Sequence, residues 1–119
     1  MNGSCLAAGK ATTSALTGTG SAYVSGNASV TAFKQALQQQ PLMIAFAVVN
    51  SFYGYKDGVY KPTDCAGAAV NHAMQAVGYG VDAATGLEYA LIRNSWGAGW
   101  GNQGYIKVYL DSAVAGGTC

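Results

Sequence analysis

The segment Glu88-Tyr-Ala-Leu-Ile-Arg-Asn-Ser-Trp-Gly-Ala-Gly-Trp-Gly-Asn-Gln-Gly-Tyr-Ile-Lys-Val108 reads as two strands joined by a glycine-rich turn. Tyr89 to Arg93 alternates as a half-buried strand does, and Tyr105 to Tyr109 repeats the pattern. Between them stand Gly97, Gly99, Gly101 and Gly104, which accept backbone angles that other residues resist. The same turn carries Asn94, Ser95, Trp96 and Trp100. A loop that only connects is usually small and polar, so an amide beside two tryptophans points to a role beyond connection.

A second segment, Val70-Asn-His-Ala-Met-Gln-Ala-Val-Gly-Tyr-Gly80, holds His72, the single histidine of the chain. Asn71-His72-Ala73 with Val77-Gly78-Tyr79-Gly80, followed by Arg93-Asn94-Ser95-Trp96-Gly97, Trp100-Gly101 and Gly104-Tyr105-Ile106, closely resembles the C-terminal half of papain-like cysteine peptidases. Order, spacing and residue types agree. The resemblance runs from about Cys5 to Cys119 and is dense after Gln40.

A thiol protease needs a base that holds the thiolate and later protonates the leaving amine, and histidine titrates in the right range. The imidazole must be oriented by an acceptor on its far nitrogen, which an asparagine oxygen supplies without adding charge. The resemblance places His72 and Asn94 in these catalytic roles. It also has Trp96 cover their hydrogen bond and line the leaving-group side of the cleft, with Trp100 stacked behind the turn. It further implies that Ala45 and Ala73 form part of the wall that receives the second residue before the scissile bond. Small residues there would leave room for a bulky apolar side chain. Taken singly, each residue has a plainer reading. A lone histidine in an apolar strand is more often a core residue, Asn94 a turn residue, and the tryptophans core. The joint pattern outweighs these.

The family's nucleophile sits in a Cys-Gly-Ser-Cys-Trp-type motif of the N-terminal half, after a glutamine of the oxyanion hole, and neither is present here. Gly3-Ser4-Cys5 is a poor substitute. No tryptophan follows, no amphipathic helix begins, and only 67 positions (72 minus 5) separate it from His72, against about 130 or more in the family. Without a thiolate no acyl-enzyme forms. The chain alone is therefore expected to be inactive.

Composition points the same way. The 119 residues suit one domain with a modest core. Only 9% are charged, against about a quarter in typical domains, so part of the surface is expected to be hidden against a partner. A net charge of +1 indicates neither nucleic acid nor a membrane surface as partner. No apolar run approaches the ~20 residues of a spanning helix. One histidine and scattered cysteines give no ligand spacing, so no metal or other cofactor is expected. The glycine-rich turn opens no helix and is no phosphate loop. No signal peptide is visible, and both ends read as cut. Of three cysteines, the resemblance pairs Cys65 with Cys119 in a disulfide and leaves the partner of Cys5 in the other half. Three buried free thiols are the plainer alternative. Family context and the sequons at Asn2 and Asn27 favour an oxidising route, with a lysosomal, vacuolar or extracellular destination.

Along the chain, residues 1–28 are small and polar, with a hint of a strand at Ala22-Tyr-Val24. Ser29 caps a helix over Val30 to Gln39, whose Val30, Phe33, Ala36 and Leu37 share a face, and Pro41 stops it. Leu42 to Val49 reads as a strand buried on both faces. An aromatic stretch, Asn50 to Lys61, precedes Cys65. Val81 to Gly86 is a hairpin loop. These elements predict an α+β fold, a mainly antiparallel, β-barrel-like domain with one helix. Residues 1–119 are thus expected to be the C-terminal half of a papain-like cysteine peptidase domain, acting on peptides or proteins and completed by an N-terminal half that bears the nucleophile. The alternatives are an inactive binding or regulatory half-protease module and a truncated fragment without function of its own.

Overall fold

A computed structural model of the chain describes residues 29–111. Its first helix, α1, spans Val30–Gln39. The Ser29 hydroxyl accepts the Ala32 N–H at 3.2 Å, which satisfies one of the amides a helix start leaves open. Phe33 and Leu37 pack against the core, and Gln38 donates to the Tyr79 hydroxyl at 2.9 Å.

The strands are β1 (Leu42–Phe46), β2 (Val59–Tyr60), β3 (His72–Val81), β4 (Glu88–Arg93) and β5 (Tyr105–Tyr109). They form one open sheet in the order β1-β3-β4-β5-β2. All neighbours are antiparallel except β2 and β5, which run parallel. The expected barrel is therefore not closed among the described residues. β1 and β2 stand at opposite edges and do not pair.

Two adjacent rows of residues show how the sheet is organised. Leu42, Ala76, Ile92 and Ile106 sit opposite one another across β1, β3, β4 and β5 and face the core. One residue along, Met43, Gln75, Arg93 and Tyr105 are aligned in the same way and all are exposed. The period of two in a strand sends the two rows to opposite faces. On the core face, Phe46, Phe52, Tyr55, Tyr60, Met74, Ala90 and Val108 complete the cluster.

The run after Pro41 differs from expectation. The strand ends at Phe46, and its residues alternate between exposed and covered. The outward face of the sheet carries no covering layer among the described residues, so the outward positions of β1 have nothing above them, and Met43 is 86% exposed. Beyond Phe46, Asn71 takes over the pairing. Its side chain accepts the Val48 N–H at 2.8 Å and donates to the Val48 carbonyl at 3.0 Å. The aromatic stretch holds a second helix that the sequence did not reveal. This single turn, α2, covers Asn50–Tyr53 and buries Phe52.

β3 and β4 meet with a register shift between Ala76 and Gly78, then turn tightly. The Asp82 carboxylate accepts from the Thr85 hydroxyl at 2.7 Å and its N–H at 3.1 Å, which holds Asp82 below the usual carboxylate range. Cys65 is buried and engaged in a disulfide. Its predicted partner Cys119 lies outside the described residues, as do Cys5 and the possible strand at Ala22-Tyr-Val24.

Candidate active site

His72 opens β3, and Asn94 follows the last residue of β4. The two strands are adjacent, so residues 22 positions apart meet at one end of the sheet. His72 Nε2 lies 2.9 Å from Asn94 Oδ1. That oxygen also accepts the Ser95 N–H at 2.8 Å, which identifies it as the acceptor end of the amide. Nε2 must then carry a proton, which makes Nδ1 the imidazole nitrogen that this bond does not engage. Asn94 is only 6% exposed, whereas His72 is half-buried. Asn94 is thus the fixed member of the pair, and its own N–H donates to the Gly104 carbonyl at 2.9 Å.

The turn from Ser95 to Gly104 is drawn tight by its backbone. Gly104 N–H donates to the Trp100 carbonyl at 2.8 Å. Gly101 has φ +58°, and a Cβ there would sit 2.7 Å from the Tyr105 carbonyl oxygen, so only glycine fits. Asn102 donates to Asp57 at 3.1 Å and joins the turn to the aromatic segment.

Trp96 lies against the imidazole, ring centroids 5.3 Å apart and planes tilted by 34°. Phe52 and Trp100 meet Trp96 edge-on at 5.4 and 5.3 Å. Phe52 is itself stacked on Trp100 at 4.8 Å. Aromatic rings prefer these edge-on and offset arrangements, and the cluster fixes the orientation of Trp96. A ring beside the His72–Asn94 bond thins the water around it and strengthens the bond. Among the described residues, two buried nitrogens, Asn94 Nδ2 and Trp100 Nε1, have no hydrogen-bond partner.

Ala45 and Ala73 face each other across β1 and β3, and both are exposed. Beside them is a cavity of about 260 Å³ lined by Met43, Ala73, Met74, Gln75, Arg93 and Asn94. His72 is not among the lining residues, but its partner Asn94 is.

Three supporting features escaped the sequence reading. Asn71 was visible beside His72, but its partner Val48 lies on a different segment. Ser51 accepts nothing obvious from its neighbours in sequence; in the fold its hydroxyl donates to Asp64 at 2.7 Å and meets the Tyr60 hydroxyl at 2.6 Å. Tyr53 stacks on Trp96. The aromatic richness of residues 52–60 was the available signal, and it did not say which ring would face which.

The papain family cysteine protease profile matches residues 1–119. The chain belongs to the papain family of cysteine proteases. It is 48% identical over 83 residues to cysteine proteinase 3 of Solanum lycopersicum and to the thiol protease aleurain of Arabidopsis thaliana. In each case the match covers 67% of this chain but 23% of the relative. The chain thus spans about a quarter of the length of these relatives. Among solved structures, bromelain from Ananas comosus in complex with the E64 inhibitor superimposes with a TM-score of 0.70 at 36% identity. It covers 76% of this chain and 41% of that one.

Proposed function

We propose that this chain is the C-terminal half of a cysteine endopeptidase, in which His72 is the base and Asn94 its orienter. The thiol comes from an N-terminal half. The observation that carries the reading is the His72–Asn94 hydrogen bond of 2.9 Å, with Oδ1 identified as acceptor by Ser95. It leaves His72 Nδ1 free to take a thiol proton and later to protonate the leaving amine. The chain's share of its relatives' length supports a missing half, as does the exposed row Met43, Gln75, Arg93 and Tyr105. In the completed enzyme, Cys65 pairs with Cys119, and the protein resides in a vacuolar, lysosomal or extracellular compartment.

The exposed alanines 45 and 73 and the adjoining hollow suit a bulky apolar residue two before the scissile bond. Hydrolysis of fluorogenic peptides by the chain joined to an N-terminal half, under reducing conditions, tests the catalytic and pocket assignments. Activity that a thiol-alkylating reagent abolishes is expected, with preference for bulky apolar residues at that position. His72→Ala lowers it at least roughly 10³-fold, and Asn94→Ala lowers it less. Full activity of His72→Ala rejects the catalytic assignment, and a preference for small or acidic residues rejects the pocket. The exposed sheet face also suits a non-catalytic binding module. That reading predicts stable association with a partner and no thiol-dependent hydrolysis from the joined protein.

A further inference from the structure

Residues 101–104 form a corner in backbone angles that most residues avoid. Gly101 has φ +58° and Gly104 has φ +89°. Between them Gln103 stands at φ +51°, the one non-glycine residue with positive φ among the described residues. A side chain in the left-handed region costs energy and persists only where its surroundings hold it. Asn102 is the point at which this corner is held. Its N–H donates to the Tyr105 carbonyl and its carbonyl accepts the Tyr105 N–H, both at 3.0 Å. Its side-chain amide donates to Asp57 at 3.1 Å, from 45 positions away in the chain. Asp57 is a firm anchor. The Gly58 N–H, and after it Asn102, hold its carboxyl below the usual carboxylate range, so the acceptor is charged and the bond is charge-assisted. Its segment is fastened as well. The Tyr55 hydroxyl donates to the Gly58 carbonyl at 2.7 Å and accepts the Lys107 N–H at 3.3 Å.

The geometry points to Asp57 and Asn102 as a latch that positions the His72–Asn94 pair. The path is short. Asn102 fixes the corner, the corner ends at Gly104, and the Gly104 carbonyl accepts the Asn94 N–H at 2.9 Å. Asn94 Oδ1 in turn meets His72 Nε2 at 2.9 Å. Asp57 and Asn102 act on the imidazole only through this path, as positioning residues. The inference rests on the assignment of Asn94 as the orienter of His72. The histidine side of the pair is held separately. The Asn71 N–H donates to the Phe46 carbonyl at 3.1 Å, and the Asn71 side chain clasps Val48. Opening the latch therefore loosens Asn94 and leaves the backbone beside His72 in place.

His72 is the single histidine, so its ring N–H gives one assignable NMR signal in the full chain. Exchange of the His72 Nε2 proton with water reads how long the bond to Asn94 stays closed. Exchange of the Asn71 N–H, measured at the same pH, is the internal reference. In Asp57→Ala the Nε2 proton is expected to exchange roughly 2- to 10-fold faster relative to that reference, the range that one hydrogen bond supplies. Asn102→Asp sets two carboxylates against each other and is expected to do at least as much. Asp57→Asn keeps an acceptor and is expected to restore most of the parent ratio. The double variant Asp57→Asn with Asn102→Asp reverses donor and acceptor and is expected to recover what Asn102→Asp alone loses. A general loosening of the fold speeds both protons and leaves the ratio unmoved, and that result overturns the inference. Failure of the reversed pair to recover the ratio overturns it too. A parent Nε2 proton that exchanges as in free imidazole removes the His72–Asn94 bond, and with it both the functional reading and this inference. The expected ratios together with no thiol-dependent hydrolysis from the joined enzyme reject the functional reading and leave the latch standing.

Discussion

The two faces of the sheet are made from neighbouring residues and behave differently. Leu42, Ala76, Ile92 and Ile106 lie under α1 and the aromatic cluster. Met43, Gln75, Arg93 and Tyr105, one position on in each strand, lie open to solvent. The core face is finished with the chain's own residues. The outer face is not, and the hollow on it is lined by Ala73 and by Asn94, the partner of His72. The difference between the faces thus divides residues that hold the fold from residues that the fold leaves exposed.

The sharpest way to break this contrast is to truncate one residue from each row. Ile106→Ala removes a fully buried side chain and is expected to destabilise the domain by roughly 2–5 kcal/mol in urea unfolding. Met43→Ala, at 86% exposure, is expected to change the stability of the chain alone by no more than about 0.5 kcal/mol. An equal loss at Met43 would mean that the outer row belongs to a core after all. The turn is tested next. Gly101→Ala places a Cβ against the Tyr105 carbonyl at a positive φ, and a cost of about 1–3 kcal/mol is expected in the same assay.

Two smaller effects probe how the core face is braced. Ser29→Ala removes the cap of the helix over the core face and is expected to cost about 1 kcal/mol. Ser51→Ala acts at the braces of the aromatic cluster. The hydrogen bond from the Ser51 hydroxyl is the main cause of a lowered Asp64 pKa. A lowered folded-state pKa contributes stability that is present above the unfolded value, near 4, and is lost as pH falls through the folded value. Ser51→Ala should therefore raise the Asp64 pKa in an NMR titration and remove that part of the acid dependence. An unmoved Asp64 would show that the contact does not persist in solution.

Much of this was legible in order along the chain because its causes are local. Ser29 and Pro41 bracket α1 through a side-chain cap and a missing amide. The glycines of residues 97–104 mark a turn by the backbone angles they permit. His72, Asn94 and Trp96 were visible as candidates through their joint pattern, and Ala45 and Ala73 through the same resemblance. Residues 42–49 went astray for a specific reason. An apolar run looks the same in a strand covered on both faces and in one whose outer face lies open, since burial depends on what packs over each face of the sheet.

By itself, then, the sequence determined the family, the single capped helix, the strand pair around the glycine turn and the residue types of the candidate pair. Only the tertiary structure decided that the sheet is open with β1 at its edge. It also decided that Asn94 Oδ1 is held by Ser95 while it meets His72, that Asn71 clasps Val48, and that Tyr53 lies flat on Trp96. Those are contacts between distant segments. Capping, turn chemistry and strand period act over a few residues, whereas the meeting of distant side chains depends on how the whole sheet is ordered and packed.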